Sequence, residues 1–434
     1  MLHIVTSFGI AGIDSFPVRA EVNVSFGMPA FEIVGLPDTT VRESRERVKA
    51  AILNSGYKMP EERITVNLAP ADRKKEGPSF DLPIAVGLLA CKRDIPGAAL
   101  NDVAFVGELS LNGALQPVRG VLPMTLAARA LGLSAIVLPR ANAMEVRCVD
   151  GIAILPAESL EQVVQHFSGK RPIEPLAPVP YSQLLAERAP SADFMHVKGQ
   201  KAAKRALEIA AAGGHNVLLI GPPGSGKTLL ARCIPSILPD MSFEEALEVT
   251  RIHSVSGSVP EAGLITERPF RSPHHTASQV SLVGGGSNAM PGEISKAHNG
   301  VLFLDELPEY ARTVLETLRQ PMEDGYVTIT RANATASYPS AFMLVCSMNP
   351  CPCGNYGSKT KQCRCSPVEI RRYLNRVSGP LLDRIDLHVE VVSMEAHAIA
   401  NAALEEPSSA IRARVVAARA IQSARYANTS IRSN

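Results

Sequence analysis

The stretch Val217-Leu-Leu-Ile-Gly-Pro-Pro-Gly-Ser-Gly-Lys-Thr228 decides the fold of this chain. Its leading apolar residues predict a strand, and the glycine-rich loop that follows ends where Lys227 and Thr228 open a helix. The spacing is G-x-x-x-x-G-K-T, the pattern of a phosphate-binding loop. Glycines allow the backbone to turn its N–H groups and the positive end of the helix toward an anion. An ordinary strand-turn-helix corner is the structural alternative.

The residues of this loop have distinct predicted roles. Lys227 reaches the terminal phosphates of ATP, and the Thr228 hydroxyl ligates Mg²⁺. The residues that we assign to nucleotide binding are Gly221, Pro222, Pro223, Gly224, Ser225, Gly226, Lys227 and Thr228, together with Asp305.

A second motif lies downstream, where the apolar run Val301–Leu304 leads into Asp305 and Glu306. Continuous apolar strands are typical of the centre of a parallel sheet. After a phosphate-binding loop this is the Walker B pattern, in which Asp305 assists the Mg²⁺ and Glu306 polarises the attacking water. Two acids after a strand also mark helix starts, which is the alternative.

Length and charge limit the classes of protein. The 434 residues suffice for two or three domains, and 44 basic residues nearly balance 42 acidic ones. Any nucleic-acid surface must therefore be local. No apolar run approaches the roughly 20 residues that span a bilayer, and the amino terminus lacks an export signal, which predicts a cytoplasmic protein.

Composition divides the chain into domains. Short apolar strands alternate with helices over residues 1–168, which predicts an α+β domain. Prolines mark residues 169–192 as a linker, and the ATPase-like part covers 193–393. Residues 394–434 include a basic helix, which we interpret either as a nucleic-acid face or as part of a helical lid.

Two polar residues beyond the Walker B motif complete the predicted catalytic set. Asn349 follows an apolar strand that should lie beside Walker B, where its amide can orient the attacking water. Asparagine before proline is also common in turns. Arg384 precedes the next strand, where an arginine can reach the γ-phosphate on a neighbouring subunit. The alternative for Arg384 is a salt bridge to Asp383 or Asp386.

Half of the eight cysteines are clustered, as Cys351, Cys353, Cys363 and Cys365. Four thiols that flank a glycine-containing loop can close a tetrahedral zinc site, which orders a segment that has no core. The C-x-C spacing is tighter than in zinc ribbons, so reduced surface thiols are the alternative.

A polar, glycine-rich segment, residues 254–286, precedes the Walker B strand. Loops of this length in compact domains are usually functional or disordered. Its Arg271, His274 and His275, together with Lys296, can face phosphates, and a solvated surface insertion is the alternative.

The first domain carries a resemblance of its own. Residues 75–83 and 106–117 resemble the proteolytic domain of Lon proteases, with Ser79 at the position of that family's nucleophile. In that family a lysine acts as the base, and the matching helix here, residues 121–128, contains none. We therefore expect a Lon-like fold that cuts no peptide bond.

The order of the motifs along the chain resembles a single family. With residues 32–38, 66–72, 271–275 and 349–354, the segments above look like the magnesium-chelatase-like AAA+ ATPases of the YifB/ComM family. The resemblance implies an α/β fold class: an N-terminal Lon-protease-like (S5-like) α+β domain, then a P-loop AAA+ αβα ATPase domain with a truncated helical C-terminal lid.

The same resemblance implies a function. Such proteins form hexameric rings with ATP between subunits and single-stranded or branched DNA in the pore, and ComM-type members are helicases that promote branch migration in natural transformation. Residues 254–286 and the hairpin 328–337 would line that pore, which makes Arg331 the best candidate for a phosphate contact. A magnesium-chelatase-type metal-insertion motor and an ATP-dependent protease-like factor are the rival functions.

Overall fold

A computed structural model describes residues 1–187, 192–286, 288–331, 334–357, 361–393 and 404–427 of the chain. These residues form two compact units, Met1–Ala186 with Thr250–Ile265, and Glu187–Val249 with Thr266–Asn434. Helix Phe243–Ser256 therefore begins in the second unit, and its last turns belong to the first. Among the described helices, none is both long and apolar enough to cross a bilayer.

The first unit contains a seven-stranded mixed sheet in the order β3-β4-β2-β1-β5-β8-β9. A long hairpin forms its centre, because β1 and β2 pair antiparallel along their whole length. The strands of the sheet are β1 Leu2–Ala11, β2 Asp14–Ser25, β3 Ala30–Val34, β4 Arg63–Ala69, β5 Val103–Phe105, β8 Ala135–Pro139 and β9 Ala153–Ala157, and β6 Glu108–Leu109 and β7 Leu115–Gln116 pair separately. The helices are α1 Thr39–Asn54, α2 Asp81–Cys91, α3 Val121–Ala130, α4 Ala143–Val146, α5 Leu160–Phe167 and α6 Tyr181–Ala186.

Helix α2 forms the core of this unit because every one of its residues is buried. Its first residue, Asp81, is an acid without exposed surface, and the guanidinium of Arg47 on α1 donates to it over 2.7 Å. The Ser44 hydroxyl donates to the same carboxylate. A buried charge requires such partners, so this pair fixes how α1 packs on α2.

Residues 250–265 complete the first unit around a buried acid, Glu145 of α4. Its carboxylate accepts hydrogen bonds from the backbone N–H of Leu122, over 3.0 Å, and from the Ser254 hydroxyl. Burial raises the pKa of the Glu145 carboxyl, and these hydrogen bonds oppose the shift.

The second unit contains a five-stranded parallel sheet in the order β11-β14-β17-β10-β18. Its strands are β10 Val217–Ile220, β11 Phe270–Arg271, β14 Val301–Leu304, β17 Met343–Met348 and β18 Leu387–Glu390. Two hairpins lie outside this sheet, β12 Gly284–Gly285 with β13 Met290–Pro291, and β15 Tyr326–Arg331 with β16 Ala334–Pro339. The helices are α7 Lys201–Gly213, α8 Lys227–Ile237, α9 Phe243–Ser256, α10 Gln279–Val283, α11 Glu293–Lys296, α12 Arg312–Glu316, α13 Arg319–Asp324, α14 Pro367–Leu374, α15 Gly379–Leu382 and α16 Ser408–Arg425.

The strand order places the functional motifs together. The two strands that precede the Walker B acids and Asn349, β14 and β17, are adjacent, and β17 also pairs with β10. Because all three strands are parallel, the residues that follow them emerge at the same edge of the sheet. The neighbour relation predicted between the Walker B strand and the strand before Asn349 is confirmed.

Three features of the structure do not follow from local sequence pattern. Residues 312–324 form two short helices, α12 and α13, separated by Thr317 and Leu318. Residues 169–186 of the predicted linker belong to the first compact unit, in which α6 forms and the Leu176 N–H donates to the Ile154 carbonyl over 2.8 Å. The basic helix α16 is not a free cationic face, because Arg414 pairs with Glu208 and Glu406 and Arg412 pairs with Asp240.

Candidate functional site

The loop between β10 and α8 has the open geometry of an anion cradle. Gly224 and Gly226 have φ angles of 75° and 92°, a left-handed conformation that favours glycine. A Cβ added at either position would meet nothing within 4 Å, so the space beside this backbone is free. Helix α8 begins immediately after the loop at Lys227, and its positive end faces the same space.

The Lys227 ammonium is buried within this loop. It donates to the carbonyls of Gly221 and Pro222, over 2.7 and 3.0 Å, and to Asn349 Oδ1 over 3.2 Å. Burial lowers the pKa of Lys227, while Asp305 and Glu306 oppose the shift. Asn349 therefore emerges from β17 directly beside the lysine of the phosphate-binding loop.

Thr228 and Asp305 form a pair that suits a hard cation. The Thr228 hydroxyl donates to Asp305 Oδ2 over 2.9 Å. A hydroxyl and a carboxylate at one point are oxygen ligands of the kind that Mg²⁺ takes beside nucleotide phosphates. The predicted magnesium residues are thus adjacent, and both line the same cavity.

Glu306 is held in an uncommon backbone conformation at the mouth of this cavity. Its φ is 54°, a left-handed conformation that costs free energy in a residue other than glycine. Its carboxylate lies 3.5 Å from His275 Nδ1. The His275 ring also stacks on His274, with centroids 4.1 Å apart. The polar segment thus reaches the Walker B glutamate, although both histidines were predicted only as DNA contacts.

These side chains share one cavity of about 480 Å³. Most residues predicted to bind nucleotide, metal or the attacking water line it, with Leu229, Ser347 and Met348 in addition. The lining is Pro223, Gly224, Ser225, Gly226, Lys227, Thr228, Leu229, Asp305, Glu306, Ser347, Met348 and Asn349.

Two further residues of the site were missed by sequence reasoning. The Ser347 hydroxyl, fully buried in β17, donates to Asp305 Oδ1. Gln200 donates from its side-chain amide to the carbonyls of Ser225 and Val392, over 3.2 and 2.6 Å. A serine inside an otherwise apolar strand was a visible signal for Ser347, whereas the position of Gln200 depends on the fold.

Arg384 lies outside the lining of the cavity. Its guanidinium pairs with Glu323 and donates to the Pro380 carbonyl over 2.7 Å. Asp386, one of the two acids considered as its partner, instead accepts from the backbone N–H of Asn216 over 2.7 Å. Arg384 is thus held on the surface of α15 by a different acid from either of those considered.

The residues predicted to contact DNA fall into two groups. Arg331 is exposed at the end of β15, and its guanidinium lies against Gly285, where an added Cβ would come within 2.8 Å of it. The hairpins β12–β13 and β15–β16 are tied together by the Tyr338 hydroxyl, which donates to Ala289 O over 3.0 Å. Arg271, in contrast, donates to Glu293 over 2.7 Å.

The four clustered cysteines meet in space. Their sulfur atoms all lie within 4.8 Å of one another. The Sγ atoms of Cys351, Cys353 and Cys363 are 3.4 to 3.7 Å apart, too far for a disulfide, and Tyr356 N–H donates to Cys351 Sγ over 3.3 Å.

The Lon-like feature of the first unit is a buried turn. Ser79 lies in the short turn Pro78–Phe80 that leads into α2, and it is buried. Helix α3, the counterpart of the helix that carries the base in Lon proteases, contains no lysine. Ser79 is therefore a turn residue in this fold.

Comparisons with known proteins match two parts of the chain to family models. Residues 193–399 match the family model for magnesium chelatase, subunit ChlI, and residues 20–142 match that for subunit ChlI of Mg-chelatase. The chain is 46% identical to YifB of Escherichia coli K12, over 96% of this chain and 81% of that protein. It is 45% identical to competence protein ComM of Haemophilus influenzae, over 97% of this chain and 82% of that protein.

A more distant similarity concerns proteases. Lon protease 2 of Bacillus subtilis is 28% identical over 163 residues, which is 36% of this chain and 29% of that protein. The relatives that match along most of the chain decide the assignment. The chain belongs to the YifB/ComM family of magnesium-chelatase-like AAA+ ATPases.

Proposed function

We propose that this protein is the ATP-hydrolysing subunit of a cytoplasmic ring motor, a hexamer, that acts on DNA. The observation that carries the ATPase part is the single cavity that joins Lys227, Thr228, Asp305, Glu306 and Asn349. In P-loop enzymes catalysis consists mainly of positioning and electrostatic stabilisation, and these side chains supply both.

The proposed mechanism assigns one task to each group. Lys227 exchanges its backbone carbonyl partners for phosphate oxygens, and the loop N–H groups hold the remaining phosphate charge. Thr228 and Asp305 would hold Mg²⁺, which when bound neutralises charge on the phosphates. Four loop residues before Lys227 line the cavity, Pro223 to Gly226, and the only side chains they place beside the phosphate path are the Ser225 hydroxyl and the Pro223 ring.

Glu306 and Asn349 act on the water. The Glu306 carboxylate accepts a proton from the attacking water as its oxygen approaches the γ-phosphorus, while the bond from that phosphorus to the β–γ bridging oxygen breaks and ADP leaves. Asn349 Oδ1, which lies 3.2 Å from Lys227 Nζ, is close enough to the terminal phosphate position to orient that water. In the ring, Arg384 would leave Glu323 and stabilise transition-state charge on the neighbouring subunit's nucleotide.

The DNA part of the proposal rests on the two packed hairpins and on the competence relative. Arg331 is an exposed cation beside the backbone of Gly285. A glycine has no side chain, so the sugar-phosphate backbone of DNA can approach closely there. His274 lies on the polar segment, and His275 and Arg271 connect that segment to the Walker B motif and its strand. A role in branch migration during DNA uptake fits a relative named as a competence protein.

We also assign Zn²⁺ to the four cysteines. Zinc–sulfur bonds of about 2.3 Å in a tetrahedron place neighbouring sulfurs about 3.8 Å apart. The Sγ distances of 3.4, 3.7 and 3.7 Å are close to this edge. The purified protein should carry about one equivalent of zinc. A folded, metal-free protein with four reactive thiols would contradict the assignment.

The test of the motor is ATP turnover with and without single-stranded and forked DNA. Glu306→Gln serves as the blank, and Glu46→Gln, an exposed acid of the first unit, is the matched control. We expect DNA to stimulate turnover in the wild type and the control but not in the blank. An ATP turnover rate that does not change with DNA would favour the metal-insertion motor. Casein degradation that is lost in Ser79→Ala would favour the protease. An absence of turnover would refute the ATPase assignment.

A further inference from the structure

The cluster of thiols lies in a short loop that starts at the nucleotide site. This cysteine loop, residues 350–366, follows β17 directly, and its first cysteine comes two residues after Asn349. The Asn349 amide is in contact with the Lys227 ammonium. Any displacement of Cys351 would therefore be transmitted along two peptide units to the residue beside the phosphate site.

The middle of the cysteine loop packs on the phosphate-binding loop itself. At Gly354, an added Cβ would lie 2.4 Å from Cδ and 2.8 Å from Cγ of Pro223. Such distances are shorter than any real carbon–carbon contact, so the backbone of the cysteine loop touches the proline ring with no space to spare. Pro223 is in turn a lining residue of the cavity.

The far end of the cysteine loop returns to the same site. Ser366 caps helix α14 in a capping box with Glu369, which fixes the start of that helix. On α14, burial raises the pKa of the Tyr373 hydroxyl, and its interaction with the backbone of Asn349 opposes the shift. Just beyond the helix, Arg376 donates to Glu309 over 2.8 Å, in the turn that follows the Walker B acids.

We propose that metal binding to the four cysteines positions the nucleotide site, so that zinc and nucleotide bind cooperatively. In the described part of the loop no large apolar side chain is buried, and the four sulfurs converge, so a bound metal is the element that fixes the shape of the loop. The shape of the loop determines the positions of Asn349 and Pro223. Through α14 it also determines the position of the turn after Glu306. The inference rests on the proposed zinc and ATP sites and does not depend on DNA or on hydrolysis.

Linkage gives the proposal a two-way test. Removing zinc with a chelator selective for zinc over magnesium should weaken the binding of a fluorescent, non-hydrolysable ATP analogue by about tenfold, a common size for coupling between sites. By reciprocity, saturation with the analogue should raise the zinc affinity by the same factor. Unchanged nucleotide affinity in the zinc-free, folded protein would overturn the proposal, whatever DNA does to turnover.

Two glycines of the same loop provide a matched pair of variants. Gly354 and Gly357 have φ angles of 78° and 76°, so an alanine is equally strained at either position. Only at Gly354 would the new Cβ strike Pro223, since nothing lies within 4 Å of one at Gly357. We expect both variants to retain zinc by elemental analysis and only Gly354→Ala to lose nucleotide affinity. Equal affinity in the two variants would contradict the proposed contact.

Discussion

Replacing Ser347 by alanine tests whether the buried hydroxyl positions the metal-binding acid. The hydroxyl donates to Asp305 Oδ1 and accepts from the Glu306 backbone N–H over 3.4 Å. That N–H has a second acceptor, Asp305 Oδ1 at 3.1 Å, so the substitution leaves it partnered. The main loss is one hydrogen bond to a carboxylate that must hold Mg²⁺.

The size of the effect follows from that bond. A hydrogen bond to a charged group contributes about 1.5–3 kcal/mol, which corresponds to roughly 10- to 100-fold in an equilibrium constant. Removing an outer partner of a metal ligand typically lowers metal affinity by a similar factor, about 10- to 100-fold. We therefore expect Ser347→Ala to raise the half-saturating Mg²⁺ concentration by about this factor.

The assay is ATP turnover as a function of Mg²⁺ at saturating ATP. Because Ser347 acts through Asp305, saturating Mg²⁺ should restore most of the maximal rate. The control is Ser340→Ala, which removes another buried hydroxyl that has no hydrogen-bond partner among the described residues. The reasoning is refuted if the Mg²⁺ dependence stays unchanged or if Ser340→Ala shifts it equally.

Other predictions concern the polar segment and the hairpins. Arg331→Ala should weaken DNA binding and reduce the steepness of log affinity against log salt concentration by about 1, whereas Arg331→Lys should leave it unchanged. An unchanged salt dependence in the alanine variant would show that Arg331 is not part of the DNA interface. His275→Ala should lower the maximal rate by at most roughly fivefold with little change in KM, because its 3.5 Å contact with the Glu306 carboxylate is partly exposed and contributes about 1 kcal/mol or less. Tyr338→Phe should reduce the free energy of unfolding of the second unit by about 1 kcal/mol and speed amide hydrogen exchange around Ala289. Exchange as slow as in the wild type would show that this hydrogen bond does not hold the two hairpins together.

Motifs whose residues have a fixed spacing along the sequence could be predicted from the sequence. The run from Val217 to Thr228 forms a strand, loop and helix as predicted, and the strand before Asn349 lies beside the Walker B strand. Local pattern suffices there because apolar strands in a parallel sheet present the residues after them at one edge. The convergence of four cysteines was likewise suggested by their pairing in sequence.

Contacts between distant segments could not be predicted in the same way. Nothing in the local pattern shows that Gln200 reaches the loop at Ser225 or that Arg384 selects Glu323 among several nearby acids. The partners of long arginine side chains depend on tertiary packing. The basic sequence of α16 therefore could not show that Arg414 forms ion pairs with Glu208 and Glu406. The break between α12 and α13 could not be predicted either, because amphipathic spacing does not show where a helix ends.

The discontinuity of the first unit affects how the chain can fold during its synthesis. Its Ser254 comes from a segment, residues 250–265, that the ribosome makes only after residues 187–249. At 5–20 residues per second, this postpones completion of the unit by roughly 4–16 s. During that interval Glu145 lacks a buried hydroxyl partner, so a fragment that ends at residue 186 should be less stable than the same unit in the whole chain. Any attempt to express the first unit alone must therefore supply residues 250–265, for example through a short engineered connection.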